Sequence, residues 1–71
     1  MKPSSADLYD ALYLIGNEAG TSVDIRKNVL DYLVTLEIAE IGADGKPHLT
    51  LYGDKCYFIM ESGYGRVAEF E

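Results

Sequence analysis

The sequence is short of the residues from which reactive sites are built. It holds one cysteine, Cys56, and one histidine, His48. A lone cysteine excludes an internal disulfide and leaves a thiolate zinc site without partners. It fits a reducing compartment, and the expected location is cytoplasmic. His48 has no serine or cysteine nucleophile at a readable spacing, so it reads as a surface residue rather than a general base. Cys56 falls on an apolar stripe, where a small core residue is the natural reading. Asp7, Asp10 and Glu18 lie along solvated helix faces without the spacing of a metal cage, and Gly63-Tyr64-Gly65 lacks the strand, helix and further glycine of a phosphate loop. No enzymatic activity, metal or cofactor is expected.

Long apolar runs are missing too. No stretch approaches the roughly 20 residues that span a bilayer, so no membrane partner is expected. The opening "MKPSSADLYD" puts an acidic residue where a signal peptide needs its apolar stretch, and no export signal is read there. Basic residues are scarce: six against twelve acidic ones give a net charge of −6. A surface of that average sign repels a phosphate backbone, so any nucleic-acid site needs a local basic patch.

What is present is a globular composition, 48% hydrophobic and 25% charged over 71 residues. That is one small domain, near the size at which a single core only just offsets the entropy of ordering the chain. In "PSSADLYDALYLIGNEAG", Leu8, Leu12, Ile15 and Ala19 recur at helical spacing. Ser4 and Asp7 form a capping pair, and Gly16 and Gly20 weaken and end the segment, which predicts a helix over about 5–18. Thr21 and Asp24 repeat the capping spacing before Ile25, Val29, Leu33 and Leu36. Residues 21–36 are therefore predicted helical, as one long helix or two short ones meeting near Lys27-Asn28.

From Glu37 the period changes to alternation, through Ile41 and again over Leu49 and Leu51, around Asp44-Gly45. That pattern predicts a hairpin whose turn needs positive φ, with Pro47 on an edge where its missing N–H faces solvent. Thr50 can cap a third helix with Asp54 in its first turn and Tyr52, Cys56, Ile59, Met60 and Gly63 at helical spacing. Equally, Gly53-Asp54 could turn into a strand over "KCYFIME". The tail "GYGRVAEFE" is too short and glycine-rich to place, and is read as either a frayed end or a short added strand.

Helix, helix, hairpin, helix resembles the winged-helix superfamily, and the likeness reaches individual residues. In "LEIAEIGADGKPHLTLYGDKCYFIME", Leu36, Ile38 and Ile41 resemble the lead into a wing, Asp44-Gly45 its tip, and Leu49-Thr50 with Gly53 the Leu-Thr-x-x-Gly motif that closes the wing in small MarR-like and PadR-like regulators. The resemblance covers about residues 5–62. It implies an α+β winged-helix domain of three helices and a two-stranded wing, and it favours the helical reading of 52–62, with Cys56, Ile59 and Met60 packed on the first helix.

The resemblance further implies a DNA-binding transcriptional regulator acting as a dimer. Arg26, Lys27, Asn28, Tyr32 and Thr35 would be offered to the major groove, and Lys46 and His48 would touch the backbone from the wing. Asp31 and Glu37 lie on the same exposed face, and Asp44 lies beside the wing bases. The six tyrosines cannot all be buried in so small a core. Tyr9 and Tyr13 form a second strip on the first helix, which points to a protein interface and to a homodimer through the first and last helices. The alternative function is an acidic winged-helix module that binds another protein and never touches DNA.

Overall fold

The computed structural model describes residues 2–17, 25–63 and 66–70 of the chain. Helix α1 spans Ser5–Gly16 and buries Leu8, Ala11, Leu12 and Ile15. Its N-cap is Ser4, whose hydroxyl accepts from the Asp7 backbone N–H at 3.3 Å, as the capping pair predicts. The helix ends at Gly16 rather than near 18. A side chain at Gly16 would sit only 2.5 Å from the Tyr57 ring, so glycine lets the last helix lie close against this end.

Helix α2 spans Lys27–Thr35 and buries Val29 and Leu33. Of the two readings left open, one long helix over 21–36 or two short ones meeting near Lys27-Asn28, the unbroken one does not form, and α2 begins at Lys27. Arg26 is its N-cap, at φ −57° and ψ 139°, and makes no side-chain capping bond, while the Thr21–Asp24 pair lies outside the described residues. The apolar stripe through Ile25 is thus continuous in sequence but leaves the helix at Arg26. At the other end, the N–H of Ile38 donates to the Leu33 carbonyl and that of Glu37 to Val34, each at 3.0 Å. This pair of bonds is a Schellman closure, and it places Glu37 in the left-handed region at φ 63°. Ile38 and Leu33, both fully buried, supply the apolar contact that goes with it.

Strand β1, Ala39–Ile41, pairs antiparallel with β2, Pro47–Leu49, in the register Glu40 opposite His48. The flanking bonds Gly42 N–H to Lys46 O and Thr50 N–H to Ile38 O lie an even number of residues from that pair. Glu40 and His48 therefore hold the ladder bonds, and Pro47 falls in a position whose N side points outward, as its chemistry requires. The loop between them closes through Gly45 N–H to Gly42 O at 2.9 Å, with Gly45 at φ 78°. The positive φ predicted for the Asp-Gly turn is there, in a wider loop than a two-residue hairpin.

Helix α3 spans Leu51–Ser62, so the even contest between helix and strand resolves as helix. Thr50 is the cap: its hydroxyl accepts from Gly53 N–H at 3.0 Å and donates to the carbonyls of Glu37 and Ile38. One threonine thus starts α3 and ties it to the end of α2. Gly53 is buried because the Ile38 carbonyl oxygen lies 2.0 Å from where a Cβ would stand. The Leu-Thr-x-x-Gly spacing has a local physical cause, one residue to cap and one to let the strand lead press against the first turn.

The face of α3 turned inward differs from the expected one. Gly53 and Cys56 are buried and Met60 is half-buried against the core, whereas Ile59 is 36% exposed and Leu51, read as a strand residue, is 84% exposed. The described residues of the tail, 66–70, form neither a frayed end nor a short strand. Val67 and the short 3-10 helix Ala68–Phe70 close the core, with Phe70 fully buried and its ring edge-on to Tyr9 at 5.0 Å. Val67 N–H donates to the Tyr9 hydroxyl at 3.0 Å.

The described elements, three helices and a two-stranded hairpin, make a small α+β domain in a winged-helix-like layout. None of the helices is long and apolar enough to cross a membrane, among the described residues.

Candidate functional site

Helix α2 holds most of the residues predicted to read DNA. With Val29 and Leu33 turned to the core, its solvent face consists of Lys27, Asn28, Asp31, Val34 and Thr35. Lys27, Asn28 and Thr35 do share this face. Asp31 stands between them, and the Thr35 hydroxyl donates back to the Asp31 carbonyl at 2.9 Å. Tyr32, predicted alongside them, is not part of this solvent face: it is half-buried and packs against the core cluster.

Arg26, although exposed, lines a cleft of about 160 Å³ together with Asp7, Asp10, Leu14 and Ile25. Two acidic residues of α1 therefore share a cleft with the arginine at the start of α2. At the hairpin, the Asp44 carboxylate accepts from the Lys46 backbone N–H at 2.9 Å and lies 3.2 Å from His48 Nε2 through each of its oxygens. The Lys46 backbone bond, then His48, hold the Asp44 carboxyl below its usual range. Asp44 therefore stays ionised beside the wing bases. The predicted bases are divided between two elements, and each set carries its own carboxylates.

The tyrosine strip also divides. Tyr9 is half-buried and serves the fold through Val67 and Phe70. Tyr13 is 48% exposed, with its ring 6.5 Å from that of Tyr57. Burial pushes the Tyr57 hydroxyl's pKa up, and burial likewise raises that of the Cys56 thiol. Among the described residues no group of three or more His, Cys, Asp and Glu side chains could hold a metal ion.

Comparison with protein-family models, curated proteins and solved structures finds no match to this chain. The functional reading rests on the molecule's own surface.

That surface has an apolar side absent from the sequence-based expectation. Leu51 is 84% exposed and Phe58 66%, seven residues apart and so on one line of α3, with Ile59 beside them. Val34, at the end of α2, and Tyr52 are also exposed, and with Leu51 they line a broad groove of about 560 Å³ whose remaining walls are Glu37, Ala39, Glu40 and Thr50. Tyr52 is held as one wall because its hydroxyl donates to the Glu69 carboxylate, which pushes the Tyr52 pKa up to about 12. A helical projection of α3 separates Leu51 and Phe58 from Gly53, Cys56 and Met60. That signal lay in the sequence, but reading Leu51 into the strand hid it.

Proposed function

We propose that this chain is a winged-helix-like interaction module that binds another protein through apolar surface framed by carboxylates. The observation that supports this most directly is the pairing of Leu51, Phe58 and Val34 in solvent with an α2 face interrupted by Asp31. Large exposed apolar side chains on so small a domain mark an interaction surface. The net charge of −6 makes a basic partner the favourable one and a phosphate backbone the unfavourable one.

A second reading, a DNA-binding regulator acting as a dimer, is favoured by one observation: Lys27, Asn28 and Thr35 share the solvent face of α2, with Lys46 on the hairpin loop. Tyr13 and the Phe58 side of α3 would then supply the dimer contact.

Titration with mixed-sequence duplex at low salt, in wild type and in the Arg26→Glu, Lys27→Glu double variant, separates the two. The interaction reading expects no saturable binding. Binding abolished by the double substitution, with a slope of log affinity against log salt near −3 per monomer from about three phosphate contacts, would overturn it.

A further inference from the structure

The groove at the end of α2 carries a more specific assignment, which rests on the interaction reading above. We propose that it is the docking site for a basic amphipathic segment of another protein. Such a segment places one apolar side chain against Val34, Leu51 and Tyr52 and sets Lys or Arg residues on Glu37 and Glu40.

Three features of the groove lead to this occupant. The first is its lining: Val34, Ala39, Leu51 and the Tyr52 ring are apolar, the charged residues are Glu37 and Glu40, and among the described residues no lysine, arginine or histidine lines it. An apolar floor with a single sign of charge at its edge selects a ligand of opposite sign that carries an apolar anchor. The second is that its walls are fixed before binding. The Thr50 hydroxyl bonds the carbonyls of Glu37 and Ile38, the Schellman closure sets the backbone at Glu37, and Tyr52 is held by Glu69. A preformed site loses little entropy on binding. The third is the exposure of Leu51, 84% at the first residue of α3, where capping places no demand for an aliphatic side chain.

The same lining argues against other occupants. A second copy of this chain carries the same −6 charge and would set carboxylate against carboxylate. A nucleic acid would bring phosphates to Glu37 and Glu40.

The test uses the whole chain, isotopically labelled, and amide-shift titration with three synthetic peptides of about ten residues, alternating Leu with Lys, Ala with Lys, or Leu with Glu. The expected result is saturable binding of the Leu–Lys peptide, with the largest shifts at Val34, Glu37, Glu40, Leu51 and Tyr52. The Ala–Lys and Leu–Glu peptides should bind at least about tenfold more weakly. Leu51→Ser, and separately the pair Glu37→Gln with Glu40→Gln, should each weaken the Leu–Lys peptide by about tenfold or more while leaving the thermal midpoint in place. These residues are exposed, so two independent variants guard against a folding artefact.

Shifts centred on Phe58 and Ile59 would overturn the groove and leave the interaction reading standing. Equal binding of the Leu–Glu peptide, binding insensitive to both variants, or no binding of any peptide would also overturn the groove. Absence of peptide binding together with saturable duplex binding lost on Arg26→Glu, Lys27→Glu would overturn both.

Discussion

Replacing Gly53 by alanine tests the packing that joins the hairpin to α3. A glycine inside a helix normally costs about 0.5–1 kcal/mol relative to alanine, so on propensity alone Gly53→Ala should stabilise the protein. The structure predicts the opposite. The new Cβ would lie 2.0 Å from the Ile38 carbonyl oxygen, where real contacts essentially never fall under 3.0 Å, so the backbone of Ile38 or of α3's first turn must move by about 1 Å or more. Forced overpacking of this kind costs about 1–3 kcal/mol. The displaced carbonyl also accepts from Thr50 N–H at 3.1 Å and from the Thr50 hydroxyl at 3.2 Å, and each weakened bond adds about 1 kcal/mol. After subtracting the propensity gain, a net loss of about 2–4 kcal/mol is expected. Urea unfolding followed by far-ultraviolet circular dichroism should show the midpoint lowered by about 2–4 M, taking a slope of about 1 kcal/mol/M for so small a domain. Amide exchange should accelerate first at Thr50 and Gly53. An unchanged or raised midpoint would refute close backbone approach as the cause of the Leu-Thr-x-x-Gly spacing.

Two further outcomes follow from the same structure. Phe70→Ala should destabilise by about 3–5 kcal/mol because Phe70 is fully buried against Tyr9, whereas Ile59→Ala, at a position 36% exposed, should fall well below the roughly 2–5 kcal/mol of a buried isoleucine; comparable losses in urea melts would contradict the burial pattern. In an ultraviolet titration one tyrosine should ionise near pH 12 and return toward 10.0 in Glu69→Ala. A raised tyrosine pKa means that the folded state holds its proton more tightly, so this contribution to stability is complete below pH 10.0 and is lost as pH rises through about 12. A titration identical in wild type and variant would remove the Tyr52–Glu69 bond.

The sequence by itself determined the elements whose causes are local. Ser4 and Thr50 cap helices because a hydroxyl two or three residues ahead of free N–H groups has nowhere better to bond. Gly45 marks the hairpin loop because only a residue without Cβ takes positive φ there without strain. The Leu8–Leu12–Ile15 stripe fixed which side of α1 is buried. The start of α2 was legible only as one of two readings, a break near Lys27-Asn28 or none, since the stripe from Ile25 to Leu36 is unbroken and nothing in it says that Arg26 is extended.

Tertiary structure alone decided which surfaces remain for function. Tyr9 and Tyr13, four residues apart, read alike, but Phe70 and Val67 fold back onto Tyr9 and leave Tyr13 in solvent. A glycine-rich tail gives no periodic signal, because one buried valine and one buried phenylalanine are too few to show a repeat. Arg26 and Asp7 are distant in sequence and come to one cleft only through the packing of α1 and α2, so the acidic residues near the start of α2 could not be read along the chain. The groove at Glu37, Glu40 and Leu51 likewise exists only because Thr50 fastens the start of α3 to the end of α2. Local chemistry specified each helix and turn, and long-range contact specified what each of them shows to a partner.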